Sequence, residues 1–245
     1  MEWRDDGIVV GIRSHGETSV ILDLVTRQHG RHLGFVHGGR SRRLRPSLQP
    51  GNGVEAVWRS RVEHDLGTYT IEPRRMRASR AMETARGLHA LNHLCGLARL
   101  LPEREPHPRL HDRLEMILEA VDDRAVTPLA IVFFELDLLT ELGFGLDLSA
   151  CVATGRNDDL AFVSPKSGRA VSRSAGEPYA DRMLVLPAFL IDETAEVSPG
   201  DLVAAFRLAE YFLMRDVFVP RGLAMQTARH AYLRSLDATD EGGAA

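Results

Sequence analysis

Lysine is almost missing from this chain: of 30 basic residues, 29 are arginine and one is Lys166. Guanidinium groups bind phosphate bidentately where an ammonium cannot, but a compositional bias of this kind carries little weight alone. Cysteine is equally scarce. Cys95 and Cys151 stand in unrelated contexts, which excludes the disulfide framework of a small secreted domain and leaves two reduced thiols. No apolar run approaches the roughly 18–20 residues that cross a bilayer, and Met1-Glu2-Trp3-Arg4-Asp5-Asp6 is too acidic to open a secretory signal. The reading is a cytoplasmic protein with no membrane partner. Catalytic signatures are missing too: no GxxxxGK[ST] phosphate loop, no GxGxxG after a strand, no HExxH and no GxSxG. The expectation is therefore a non-enzyme with no catalytic residues and no cofactor.

What the chain has is uneven charge. Its net charge is −4, yet residues 1–80 hold 14 arginines against 9 acids, and the remainder carries −9. Four arginines fall within six positions in the run Gly38-Gly39-Arg40-Ser41-Arg42-Arg43-Leu44-Arg45-Pro46. Clustered arginines displace counterions from phosphates whatever the base sequence, so a polyanion, nucleic acid first, is the expected partner of this module. A solvated loop is the bland alternative.

Residues 7–14, 19–25, 31–37, 54–61 and 66–73 are each strand-sized, rich in Val, Ile, Thr or aromatics, and bounded by Gly or Pro. Five such strands in one short stretch predict a small barrel. Alternation puts Val54, Ala56 and Trp58 on one face and Glu55, Arg59 and Arg61 on the other, with Tyr69 and Ile71 facing together. Trp58 and Tyr69 are therefore expected in the core, leaving no exposed aromatic platform.

From Ala81 the period becomes helical. Leu88, Leu91, Leu94, Cys95, Ala98 and Leu101 recur on one stripe until Pro102, and Leu110, Leu114, Ile117, Leu118 and Val121 form a second stripe. Thr127-Pro128 reads as a helix entry with Thr as cap, followed by a run apolar nearly all round until Gly143, the pattern of a buried helix. Residues 146–190 are rich in turns and predict an irregular insert. A long helix follows from Ser198-Pro199 to Pro220, and a last one over 223–236, after which residues 237–245 are expected to fray.

Candidate ligand sets are weak. His89 and His93 lie four apart on a helix without a third ligand, and Glu135 and Asp137 cannot face the same way. Cys151 opens a turn-rich segment of the sort that wraps zinc, but the position three residues on is Thr154, and Ser172 and Ala175 stand where a second knuckle would sit. No metal is expected.

At this point an ordered set of motifs becomes visible. The run Glu17-Thr18-Ser19-Val20-Ile21-Leu22-Asp23-Leu24-Val25-Thr26-Arg27-Gln28-His29-Gly30-Arg31 resembles the E-x-S-x-I-x-x-x-F-T-x-x-x-G-R signature of RecO, a family of bacterial DNA repair and recombination mediators. The resemblance continues through Gly38-Gly39-Arg40-Ser41, Leu48-Gln49-Pro50, Phe134-Glu135-Leu136, Leu142-Gly143-Phe144, Leu146-Asp147-Leu148 with Cys151, and Ser164-Pro165-Lys166-Ser167-Gly168. It implies an α+β protein: a five-stranded OB-fold barrel over 1–80, then a mainly helical domain over 81–245 whose irregular insert at 146–190 is a degenerate form of a four-cysteine zinc module. It also implies binding of single- and double-stranded DNA, strand annealing, and loading of RecA together with RecR, with recruitment by the C-terminal tail of the single-strand-binding protein at the nucleoid. Two departures stand out. Only Cys151 of the zinc ligands remains, and Val132-Phe133 replaces a basic position ahead of the Phe-Glu-Leu segment.

The expected DNA contacts are Arg40, Arg42, Arg43 and Arg45, then Arg31, Arg59, Arg61, Arg74 and Arg75. All are charge contacts, which grip the backbone and leave bases free. An RNA-binding OB-fold protein and a scaffold whose basic loop docks an acidic protein are the rival readings.

Overall fold

The computed structural model describes residues 1–62 and 65–237. They form two compact units: Met1–Thr127 with the chain from Gln226 onward, and Pro128–Met225. The expected boundary at residue 80 separates strand from helix sequence, whereas compactness groups the next helices and the final one with the strands.

In the first unit, strands β1 (Glu2–His15), β2 (Ser19–Thr26), β3 (Gly30–Val36), β4 (Gly53–Arg59) and β5 (Thr68–Arg75) close into a barrel in the order β1-β2-β3-β5-β4. All neighbours are antiparallel except β3 and β5, which meet in parallel at Phe35 and Thr68. This is an OB-fold. The interior is filled as alternation requires, by Val9, Leu22, Leu24, Val36, Ala56 and Trp58 among others. Strand β1 begins five residues before the expected start at Gly7. Its first stretch alternates Trp3 and Asp5 with exposed Glu2, Arg4 and Asp6, and so many charges hide the period.

Trp58 and Tyr69 face each other across β4 and β5 and are both 3% exposed. The Trp58 indole N–H donates to the Leu66 carbonyl at 3.0 Å, which satisfies the ring's one polar group inside the barrel. Trp3 stacks on Trp58 from one side with centroids 5.9 Å apart, and His29 stacks on Trp3 at 4.2 Å. Gly34 is required by this packing, because a Cβ there would meet the Tyr69 ring at 2.6 Å.

Helices α1 (Arg77–Ala81), α2 (Ala85–Ala98) and α3 (Pro108–Glu119) follow, and the last helix of the unit, here α7 (Thr227–Asp237), packs on α2. Helix α2 is capped by Thr84, whose hydroxyl accepts from the Gly87 amide at 2.9 Å. It packs against β1, where Ile8 and Val10 lie outside the barrel core yet are 1% and 2% exposed. The Arg86 guanidinium donates to the Ser235 carbonyl at 2.9 Å across the α2–α7 contact. Helix α7 starts at Thr227, four residues later than the expected 223.

The second unit holds the remaining residues of α4 (Thr127–Glu141), strands β6 (Leu160–Val163), β7 (Ala170–Ser172) and β8 (Leu184–Val185), a short helix α5 (Arg173–Gly176), and α6 (Pro199–Phe212), which runs on as a π-turn over Leu213–Phe218. Helix α4 is buried as its composition demands, with Ile131, Phe134, Glu135, Leu138 and Leu139 inaccessible. Thr127 is its first residue rather than a cap, and its hydroxyl donates to the Ala120 carbonyl at 2.6 Å. Ser198 and Asp201 form a reciprocal capping box at the start of α6. The insert at 146–190 is less irregular than its turns imply, since β6, β7 and β8 form a three-stranded antiparallel sheet. Strands of two to four residues are too short to show a period. Among the described residues no helix is long and apolar enough to cross a membrane.

His32 supplies a test of the barrel interior. It is 4% exposed, its Nδ1–H donates to the Leu33 carbonyl at 2.9 Å, and its ring meets Trp58 edge-on. Burial, and then the charge of Arg104, push its pKa down to about 4 from 6.5. Between those values the unfolded chain takes up a proton that the native one refuses, so stability falls as pH falls, by about 3 kcal/mol in full. Melting curves from pH 7 to pH 4 should show this decline, and His32→Phe should flatten it. A variant profile parallel to the native one would mean that the ring titrates normally.

Candidate nucleic-acid interface

The arginine cluster lies in the connection between β3 and β4, and this connection is built rather than loose. Gly38 adopts a left-handed φ of +66° to turn the chain. The Ser41 hydroxyl then accepts from the Leu44 amide at 3.3 Å, and i to i−4 bonds from Arg45 to Ser41 and from Leu48 to Leu44 make a short helical turn. Leu44 and Leu48, four apart, face the barrel core, with Leu48 fully buried. Arg42, Arg43 and Arg45 are thereby left exposed, and no side-chain partner holds them among the described residues. Asn52 ties down the far end. Its side-chain amide donates to the Pro46 carbonyl at 2.8 Å, while its oxygen accepts from the Ala78 amide at 2.9 Å. Arg40 is also exposed, but it hooks the β1–β2 turn by donating to the carbonyls of Gly16 and Glu17 at 3.3 and 3.0 Å.

The other five expected contacts are placed differently. Arg31 grips Asp23 through Nε at 3.0 Å and a terminal nitrogen at 2.8 Å, and also donates to the Leu101 carbonyl at 3.2 Å. Both side chains are mostly buried, and Arg99 lies 3.6 Å from the same carboxylate. Arg74 bonds to Glu55, and Arg75 to Glu119 at 2.7 Å. Arg59 pairs with Glu2 at 2.9 Å, which holds the Glu2 carboxyl below its usual range as Arg74 does for Glu55. For Glu119 the bond from Arg75 has the same effect, reinforced by Arg77. Only Arg61 of these five is exposed and without a side-chain partner among the described residues. The basic run 74–80 therefore meets an acidic stripe: Arg77 binds Glu115 and Glu119 at 2.8 and 2.7 Å, and Arg80 binds Asp122 at 2.7 Å.

A half-buried aromatic, not singled out from the sequence, sits on the outer face of β3. Phe35 lies between inward-facing Gly34 and Val36, so its half-buried ring points out, 4.8 Å from the exposed His15 ring. The alternation of β3 carries this signal, since Phe35 falls out of phase with Gly34 and Val36.

The zinc-like segment does not suit zinc. The Cys151 thiol is buried beside the hydroxyls of Ser172 and Thr154. Burial raises its pKa, but bonds from Ser172, Thr154 and the backbone at Ser172 and Ala153 outweigh this and bring it to about 6. One thiol among hydroxyls is not the set of four nitrogen or sulfur ligands that closes a structural zinc site. No group of three metal-ligating side chains occurs among the described residues.

Fold and site together define an OB-fold protein with a rigid basic turn on its barrel and a second, helix-rich unit. Residues 1–76 match the family model described as Recombination protein O N terminal, and residues 83–222 match Recombination protein O C terminal. The chain is 52% identical over 243 residues to DNA repair protein RecO of Methylocella silvestris, covering 98% of each. It is 51% identical over 247 residues to DNA repair protein RecO of Methylobacterium nodulans, covering 99% of this chain and 100% of that one. The same protein of Rhodopseudomonas palustris is 51% identical over 240 residues, or 96% of each. The chain belongs to the RecO family.

Two outcomes follow from this geometry. Arg31→Gln should lower stability by about 3 kcal/mol by leaving Asp23 buried against fewer cations, whereas Arg43→Gln should leave the melting temperature unchanged; equal melting of both variants would contradict the sorting. The purified protein should contain no stoichiometric zinc, and EDTA should not shift its melting temperature. One tightly held zinc per chain, with melting lowered by chelator, is the opposing result.

Proposed function

We propose that this chain is a non-enzymatic DNA repair mediator whose barrel unit, residues 1–80 at its centre, holds the phosphate backbone of single- and double-stranded DNA. The observation that carries the reading is the helical turn that buries Leu44 and Leu48 and leaves Arg42, Arg43 and Arg45 with no side-chain partner among the described residues. Cations already paired with carboxylates must lose that partner before binding phosphate; these three lose only water. Arg61 and Arg40 join them as contacts, while Arg59, Arg74 and Arg75 contribute by exchanging partners and Arg31 chiefly holds the barrel. A grip on phosphates alone reads no sequence, which suits a protein that must act on any strand. Membership of the RecO family supports extending this to annealing of complementary strands and to loading RecA with RecR, recruited by the tail of the single-strand-binding protein.

The test is a salt titration of binding to unrelated single strands. Changing Arg42, Arg43 and Arg45 together to Ser should weaken binding alike for each sequence and lower the log–log salt slope by about 0.7 per lost phosphate contact. A folded triple variant with the native slope moves the site elsewhere. Running the same titration on RNA strands of equal length separates a DNA role from an RNA one.

A further inference from the structure

The strand register of the barrel lines up one row of outward side chains. Arg13 on β1 pairs with Ile21 on β2, Ile21 with Phe35 on β3, Phe35 with Thr68 on β5, and Thr68 with Arg59 on β4. Directly paired residues face the same side of a sheet, so this row presents an aromatic ring between two arginines. Each arginine is two strand spacings from the ring, about 10 Å along the row. His15, two positions from Arg13 on the same face of β1, stands against the Phe35 ring.

On its β4–β5 side the Phe35 ring opens into a groove of about 950 Å³, lined also by Arg59, Arg61, Leu66 and Thr68. Arg13 and Arg61 are exposed and have no side-chain partner among the described residues. Among the described residues Glu2 and Asp65 are the acids of the groove, and Glu2 is bound to Arg59. On the other flank, Arg40 fixes the β1–β2 turn that follows His15, so the platform is continuous with the arginine turn.

A half-buried ring that opens on a groove, with the exposed guanidinium groups of Arg13 and Arg61 on either side, matches one chemistry well: a nucleobase to stack and phosphates flanking it. A duplex hides its base faces, whereas a single strand offers them. We propose that Phe35, braced by His15, is a stacking platform for a base of single-stranded nucleic acid whose backbone passes onto Arg13 on one side and Arg61 on the other. This rests on the reading of the barrel as a DNA-binding module and adds to it an anchor for one base, where the arginine turn holds backbone alone.

The experiment compares an oligothymidylate with an abasic strand of equal length and charge. The native protein should bind the base-bearing strand at least five-fold more tightly, in keeping with the worth of a stacked base. Phe35→Leu keeps the apolar volume, so it should fold, and it should lose that preference while its salt slope stays native. Phe35→Tyr should retain the preference. Equal binding of the two strands by the native chain, or an unchanged preference in Phe35→Leu, overturns the platform and leaves the arginine turn standing. Absence of any binding to either strand overturns both. Binding of poly-glutamate that depends on Phe35, without binding of the oligothymidylate, would make this a protein-docking face and overturn the proposal.

Discussion

A five-stranded barrel has two faces to every strand and only one interior. In this protein the first strand is apolar on both, because Val9 points in while Ile8 and Val10 point out. Leaving the outward pair in water would forfeit about 2 kcal/mol each, and helices packed on the barrel exclude that water, α2 against this strand and α3 beside Ile8. Much else depends on this contact. Leu91 of α2 fills the space left by Gly51, where a Cβ would approach it to 2.2 Å, and Gly51 and Asn52 bond to Val9 on β1. Asn52 in turn holds the base of the arginine turn and the start of α1. The exposed cations are thus held through a chain of contacts that begins with two buried aliphatic residues.

The same helical layer decides which cations remain exposed. Carboxylates at 112, 115, 119 and 122 take up Arg27, Arg75, Arg77 and Arg80. On the barrel itself, Asp23, Glu55 and Glu2 take up Arg31, Arg74 and Arg59. Arginine here plays two physical parts: adhesive between elements, where a carboxylate is at hand, and free charge, where the nearest elements supply none. Arg13, Arg42, Arg43, Arg45 and Arg61, which are exposed and have no side-chain partner among the described residues, belong to the second group.

Elements with a strong period were legible before folding. The alternation of Val54, Ala56 and Trp58 gave the barrel interior correctly, and the leucine stripes marked α2 and α3. The start of β1 was hidden because charged residues occupy its outward positions, and β6 to β8 because they are shorter than one recognisable repeat. The site divided along a similar line. That Arg42, Arg43 and Arg45 crowd one connection is visible in the sequence; that Arg31 and Arg75 are ion-paired is not, since Asp23 and Glu119 become neighbours only through strand pairing and helix packing. Phe35 went unweighed although its parity opposite Val36 was open to reading.

The packing of α7 on α2 joins two segments of the first unit that all of Pro128–Met225 separates along the chain. During synthesis the barrel strands emerge first and α2 soon after, yet the surface of α2 that receives α7 stays uncovered until the whole of the second unit has been made. For that interval the face of α2 that α7 covers in the finished molecule stays open. A chain that stops short of α7 would therefore carry the barrel strands and the second unit yet leave that face of α2 open. Synthesis of α7, rather than of the barrel strands, is the event that seals the first unit.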